Sequence, residues 1–154
     1  MEILNIVTAR SVWLFDIAEM NPQGHKFRLI PWLQDRYKFE KVPSSSIDVD
    51  DTKGLIFSRG VFKNNEGIEL SIEFKVYEDG LVAVLSSSTS DADAFLEDVL
   101  QSASKEHGLI YTPGMIRRKL YISEVNFRSG KHLSNLNRKL AEFTAKISTL
   151  IPGD

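Results

Sequence analysis

The sequence predicts an α+β protein: an antiparallel sheet of about four to six strands, with two helices from the second half of the chain packed on one face. Three observations support this prediction: a strongly alternating stretch at 68–77, a hairpin signal at Asp79-Gly80 directly after it, and a helical apolar stripe at 92–103. Several strands come before a helix, a further strand and a last helix, and this order favours separate layers over alternating parallel units.

The central strands follow from hydrophobic periodicity. Between Ile68 and Tyr77 apolar and polar side chains alternate, which places the apolar ones on one face of a half-buried strand. The preceding stretch, 55–62, is rich in β-forming residues and ends in a polar connection at 64–67 that suits a hairpin loop. After the Asp-Gly turn, residues 81–85 form a short apolar run that predicts a strand buried on both faces.

A helix follows these three strands. Ser90 precedes two aspartates, a pattern in which a hydroxyl caps the helix and carboxylates lie at the positive end of its dipole. Apolar residues from Ala92 to Ala103 recur at helical spacing, and His107-Gly108 predicts the end of the helix. The hydroxyl cluster at 86–90 lacks the glycines and the lysine of a phosphate-binding loop, so we interpret it as a helix cap.

The N-terminal segment is less regular. Residues 3–17 predict one or two strands, with Trp13 and Phe15 on the same face. Residues 27–39 fit either a helix, with Pro31 in its first turn, or a strand. The segment therefore leaves the number of strands open.

The remaining segments predict a loop, a strand and a helix within a single domain spanning 1–154. Residues 41–53, rich in serine and aspartate, predict a mobile loop, and residues 119–127 predict a strand. From Leu133 to Leu150 apolar residues alternate at steps of three and four, which predicts a helix with a heptad seam. That seam packs either on the sheet of its own subunit or on its twin in a second copy.

The predicted core collects the inward apolar positions of these elements. It comprises Trp13, Phe15, Phe57, Leu70, Ile72, Phe74, Val76, Val82, Val84, Phe95, Leu96, Val99, Ile122, Leu136, Leu140, Phe143 and Ile147.

Composition limits the classes of function. The 154 residues include no cysteine, which excludes disulfides, zinc–thiolate sites and cysteine nucleophiles. The chain begins without a secretory signal pattern, and no apolar run approaches the ~20 residues that span a bilayer. We therefore expect a cytoplasmic protein that does not bind membranes.

Charge is segregated along the chain. Residues 1–41 carry 6 basic and 5 acidic side chains, residues 42–108 carry 5 and 13, and residues 109–154 carry 8 and 3. The middle is therefore strongly acidic and the last part basic, although the formal net charge is only −2. The two segments can attract each other within one fold or between copies of it, or they are simply solvated faces.

The sequence predicts no catalytic residue, no metal site and no cofactor. The three histidines, at 25, 107 and 132, lie far apart and lack the spacing of metal ligands. The aspartates at 48–51 lack the glycine offset and closing glutamate of a calcium loop. Ser58 mimics only half of a nucleophile elbow, because the first glycine of that motif is missing and a hairpin follows.

Eight basic side chains are the candidate interaction residues: Arg117, Arg118, Lys119, Arg128, Lys131, Arg138, Lys139 and Lys146. Together with the heptad seam, they favour a non-enzymatic protein-interaction or assembly module that self-associates. An adaptor, an inhibitor or immunity protein, or an assembly component has this profile, and its partner is a second copy or a foreign protein. The alternative is a nucleic-acid-binding protein that uses the basic C-terminal third. The third hypothesis is an enzyme whose site forms only on folding.

Overall fold

The computed structural model describes residues 2–20, 29–43 and 54–128, together with residue 142. The elements are β1 (Glu2–Leu14), α1 (Ile17–Met20), α2 (Leu29–Tyr37), β2 (Leu55–Lys63), β3 (Glu69–Tyr77), β4 (Gly80–Leu85), α3 (Thr89–His107) and β5 (Arg118–Arg128), with a 3₁₀ turn at Pro113–Met115. The predicted α+β class is confirmed.

The chain divides into two compact units. One consists of Met1–Asn5 and Val125–Asp154, and its described part is the beginning of β1, the end of β5 and residue 142. The other is Ile6–Glu124, which contains the helices α1 to α3 and most of the sheet. Apart from Arg128, the described residues discussed below belong to this larger unit. A single domain over the whole chain stays a prediction.

The strands form one five-stranded antiparallel sheet in the order β2-β3-β4-β1-β5. Strands β2, β3 and β4 are the predicted meander, and β1 lies between β4 and β5. Phe74 of β3 pairs with Phe57 of β2 and with Ala83 of β4, and Ala83 in turn pairs with Ser11 of β1. A β-bulge interrupts β2 between Phe57 and Gly60. The first and last of the described strands are therefore neighbours.

Helices α2 and α3 cover one face of the sheet, and the core lies between these helices and the sheet. Phe95 of α3 packs edge-on against Phe74 of β3 and Phe62 of β2, with ring centroids 5.4 and 5.5 Å apart. Tyr37 at the end of α2 contacts Phe95, and Phe39 continues the cluster onto β2 and β3. This aromatic cluster joins both helices to the sheet, and all of its members are buried.

The N-cap of α3 is Ser88, two residues before the predicted cap at Ser90. Ser88 and Asp91 form a capping box, in which the Ser88 hydroxyl accepts from the Asp91 amide and the Asp91 carboxylate accepts from the Ser88 amide. The helix ends as predicted at Gly108, which adopts the left-handed conformation at φ 71°. The serine cluster is thus a helix cap, as predicted.

The structure settles two open predictions and corrects two others. Segment 27–39 contains a helix rather than a strand, and β1 is one long strand followed by the short helix α1, which the sequence analysis missed. The predicted burial of 81–85 on both faces is wrong, because Val82 and Val84 are only half-buried. Ile122 is exposed rather than in the core. Both corrections have one cause: the described helices that pack on the sheet lie on one face.

Other predictions lie outside the described residues. They are most of the predicted loop at 41–53, and the C-terminal helix of Leu133–Leu150 with its heptad seam and the predicted core residues Leu136, Leu140, Phe143 and Ile147.

Candidate interaction surface

Four of the eight predicted basic residues lie in the described part of the chain, in or next to β5. Arg117 donates to Glu19 at 2.7 Å, and its backbone N–H donates to the Leu14 carbonyl at 2.9 Å. Arg118 and Arg128 are exposed. The other four, Lys131, Arg138, Lys139 and Lys146, lie outside the described residues.

Lys119 is engaged within the fold. Its ammonium group lies 3.6 Å from the centroid of the Trp13 ring and 3.8 Å from the Asp93 carboxylate. Such a cation–π contact and ion pair fix a flexible side chain in place. Lys119 and Arg117 are therefore less available to phosphate groups than their charges suggest.

Asp93, in the first part of α3, is the centre of a hydrogen-bonded cluster. Its Oδ1 atom accepts from the Ser11 hydroxyl and from the Trp13 indole N–H at 2.8 Å. Its Oδ2 atom accepts from the Tyr121 hydroxyl at 2.8 Å. Ser11 and Trp13 are buried residues of β1, and Tyr121 belongs to β5. One carboxylate therefore links α3 to two neighbouring strands, and a buried hydroxyl and indole find the partner that burial requires.

The Asp93 cluster fixes which way the side chains of β5 point. Lys119 and Tyr121 reach α3, so they lie on the helix-covered face of the sheet. Successive side chains of a strand alternate between faces. Arg118, Leu120, Ile122 and Glu124 therefore lie on the opposite face.

We call that opposite side the uncovered face, because none of the described helices packs on it. Its apolar residues include the half-buried Val12 and Leu14 of β1, the half-buried Val82 and Val84 of β4, the exposed Ile56 and Val61 of β2, and Leu120 and Ile122 of β5. Val12 and Val82 are paired directly across β1 and β4. Leu120 is 36% and Ile122 54% exposed, which is high for apolar residues in a strand.

A second polar network joins α2 to α3. The Tyr37 hydroxyl donates to Asp98 at 2.7 Å, and Arg36 makes ion pairs with Asp98 and Glu106 at 3.2 Å each. Burial, reinforced by the hydrogen bond to Asp98, raises the pKa of Tyr37 well above its usual range. The phenol therefore keeps its proton, and this network holds two helices together rather than supplying a base.

An apolar cavity of about 70 Å³ lies between the sheet and helices α2 and α3. It is lined only by apolar and aromatic side chains, among them Phe15, Met20, Trp32, Phe74 and Val99. Binding pockets usually add a few polar groups that orient a ligand, and the described lining supplies none. We interpret the cavity as a packing gap.

The described ranges contain neither a metal-ligating cluster nor a helix that could cross a membrane. No group of three or more histidine, aspartate or glutamate side chains there is placed to hold a metal ion. None of the described helices has both the length and the apolar character that crossing a membrane requires.

Sequence reasoning missed both the Asp93 cluster and the uncovered face. Nothing in the spacing of Ser11, Trp13, Asp93 and Tyr121 marks them as a group, because the sheet order alone brings β1 and β5 together. The uncovered face did leave a signal. Glu124 follows Leu120 and Ile122 at every second position, and a charge in that series is typical of a solvent-facing side.

Comparison with known proteins identifies no relative: no family model, no curated protein and no solved structure matches this chain. The inference of function therefore rests on the geometry of this molecule.

Proposed function

We propose that this protein is a non-enzymatic protein-interaction module that binds its partner through the uncovered face of the sheet. The observation that supports this proposal is the placement of Leu120 and Ile122, which expose apolar side chains beside the half-buried valines of β1 and β4. A soluble protein rarely leaves a contiguous apolar surface in water without a use for it. Covering the surface removes apolar area from water at about 25 cal/mol per Å², which favours association.

The polar side chains of the described region support a binding role over a catalytic one. Three tyrosines have raised pKa values. Tyr37 and Tyr111 are fully and half-buried and donate to Asp98 and Glu97, and the exposed Tyr121 donates to Asp93. Asp93 is engaged by donors from two strands. Each of these side chains is held by a structural hydrogen bond, whereas a general base or nucleophile must itself be free to react with a substrate.

Nucleic-acid binding remains the competing proposal: all four described candidate cations are exposed, and Arg118 and Arg128 are the two for which no carboxylate partner is described. Because Arg117 and Lys119 already pair with carboxylates, we rank it second. It requires affinity that falls steeply as the salt concentration rises.

Photo-crosslinking tests the proposed function with a matched control. The full chain is expressed with p-benzoylphenylalanine in place of Ile122, and separately in place of Ile110. Both isoleucines are 54% exposed, but Ile110 lies in the segment after α3 and not on the sheet. We expect protein adducts at position 122 and few at position 110.

The mass of the adduct separates the hypotheses. An adduct of two protein chains supports the proposal, whether the second chain is a copy or a foreign protein. Adducts confined to nucleic acid, or a crosslink only within one chain, would contradict it.

A further inference from the structure

Strand β5 is the outermost strand at its end of the described sheet, so its outer edge presents backbone groups to a further strand. Natural sheets block such edges with proline, bulges, very short strands or charged side chains, above all lysine. The lysine of β5, Lys119, is held against Trp13 and Asp93. The eleven residues of β5 include no proline and no glycine. The opposite edge strand, β2, is interrupted by a bulge and by a backbone pairing of Ser58 with Lys41. The two edges are thus not equally protected.

The side chains of β5 on the uncovered face form a self-complementary series. In order they are a cation, two apolar residues and an anion: Arg118, Leu120, Ile122 and Glu124. When two copies of such a series run antiparallel, the cation of each lies opposite the anion of the other, and apolar residues meet between them. Opposite charges and apolar pairs are the cross-strand combinations that stabilise a sheet.

This complementarity selects one register. With Tyr121 opposite its own twin, Arg118 faces the partner's Glu124 and Leu120 faces the partner's Ile122. A shift that centres the pairing on Ile122 instead places Leu120 against the partner's Glu124. A shift centred on Leu120 places Arg118 against the partner's Ile122. Only the register centred on Tyr121 matches both charge and apolar character.

We propose that two copies of this chain associate by antiparallel pairing of β5 with β5 in the register centred on Tyr121. The inference rests on the proposed function: it names a second copy as the protein partner and places the contact at the β5 border of the uncovered face, where Leu120 of each copy meets Ile122 of the other. The two-fold axis is perpendicular to the sheet, because opposed residues of an antiparallel pair lie on the same face. The pairing joins two five-stranded sheets into one and brings the two uncovered faces together as a single surface.

The Asp93 cluster prepares β5 for this role. Lys119 and Tyr121 are held on the helix-covered face, which keeps Leu120 and Ile122 directed to the other side. A strand fixed in this way loses little conformational freedom when a second strand adds to its edge.

Charge exchange tests the register. In the variant Arg118→Glu, glutamate faces the partner's Glu124, and in Glu124→Arg, arginine faces the partner's Arg118. We expect each variant alone to dimerise about tenfold more weakly than the wild type, because both charge pairs of the dimer become repulsive. An equimolar mixture of the two variants should recover association, because the mixed dimer restores both pairs. Sedimentation analysis measures all three samples.

The control is Glu66→Arg, which makes the same charge change in an exposed turn away from β5. It should dimerise as the wild type does. Circular dichroism confirms that each variant is folded. A monomeric wild type, or a mixture that associates no better than its components, would overturn the inference.

Engineered cysteines test the register independently, since the chain has no native cysteine. Tyr121→Cys places the thiol opposite its own twin, and mild oxidation should yield a covalent dimer. Ser123→Cys should not crosslink, because in this register its twin is four residues away along the strand, about 13 Å, and a disulfide needs Cα atoms within about 7 Å.

The cysteine and photo-crosslinking results together separate the two proposals. Efficient crosslinking at 123 but not at 121 would overturn the register. If no copy-to-copy crosslink forms while position 122 still captures a foreign protein, this inference fails and the proposed function stands. If position 122 captures no protein at all, both fail.

Discussion

The two edges of the sheet are built in opposite ways. At β2, two residues of a bulge lie between Phe57 and Gly60, Arg59 adopts a positive φ of 57°, and Ser58 exchanges backbone hydrogen bonds of 3.0 and 3.3 Å with Lys41. At β5 the strand is long and uninterrupted, and Leu120 is partly exposed. One edge is bent and paired with Lys41 at Ser58, and the other is a continuous strand of eleven residues.

The difference teaches that edge protection in this chain is selective. A positive φ at a residue other than glycine costs on the order of 1 kcal/mol, and β2 bears that cost to bend its edge. The N-terminal part of α3 fastens both ends of the sheet: Asp91 accepts from Asn64 in the β2–β3 hairpin, and Asp93 accepts from Tyr121 of β5. β5 is therefore tied to α3, as the β2–β3 hairpin is, while no other described strand pairs with its outer side, which suits a binding edge.

The largest expected effect is at the covered edge. Phe39 is buried against Phe57 and Phe74. It lies two residues before Lys41, which pairs with Ser58 of β2. Phe39→Ala should lower the free energy of unfolding by about 3 to 5 kcal/mol, through loss of buried contacts and a cavity. Leu120→Ala at the open edge should change it by less than about 0.5 kcal/mol. Urea denaturation at low protein concentration measures both, and equal losses would refute the comparison.

A smaller effect is expected where the bulge meets the core. A Cβ atom at Gly60 would collide with the ring of Phe39. Gly60→Ala should therefore cost about 1 to 3 kcal/mol from overpacking. Adding Phe39→Leu should cost less in that background than in the wild type, because the smaller side chain relieves the collision. Strict additivity in a thermal unfolding cycle would show that the two residues do not compete for space.

The fastening of β5 is the next test. Asp93→Asn replaces one carboxylate oxygen by a donor and leaves Ser11, Trp13 and Tyr121 competing for the other. We expect a loss of about 1 to 2 kcal/mol in the free energy of unfolding. Hydrogen exchange followed by mass spectrometry should accelerate in β5 more than in β2. Uniform acceleration across the sheet would mean that the cluster does not act on β5 in particular.

The smallest effect concerns pH at the fastening of β2. Burial alone would raise the pKa of Asp91, but hydrogen bonds from Ser87, Ser88 and Asn64 outweigh it and hold the pKa below 3.8. Because the folded pKa is lowered, the stability that the carboxylate contributes is complete at neutral pH. It is lost as the pH falls below 3.8 and through the folded pKa.

The variant Asp91→Asn exposes this pH dependence. It should be less stable than the wild type by about 0.5 to 1 kcal/mol at pH 7. The difference between the two proteins should shrink on acidification below pH 3.8. Denaturation curves at several pH values measure it, and a gap independent of pH would contradict the assignment.

Much of the fold could be predicted because local patterns agreed with tertiary packing. The alternation in 68–77 and the Asp-Gly turn gave β3, β4 and their pairing, since both depend on neighbouring residues only. The position of β1 could not be predicted, because its partners β4 and β5 lie some seventy and one hundred residues away in the chain. The prediction that Ile122 is buried was wrong for the same reason. The sequence of an alternating strand does not show which face of the sheet the helices cover.

The candidate surface was predictable only in part. Charge counting drew attention to the basic residues around β5, and two of them, Arg117 and Lys119, pair with carboxylates of the same chain. The self-complementary series of Arg118, Leu120, Ile122 and Glu124 is visible in the sequence. It indicates a pairing site only when β5 is known to be an edge strand. Which strands form the edges is a property of the whole sheet.

The sheet order also has a consequence for synthesis of the chain. β1 leaves the ribosome first, but its neighbours are β4 and β5, the last two of the described strands to be made. Until β4 emerges, β1 and its Trp13 have no strand to pair with. Until β5 emerges, β1 is itself an edge strand of the sheet. The strand that we propose to join two copies thus emerges after the other described strands, so β1 and β4 can pair within one chain before two chains meet through β5.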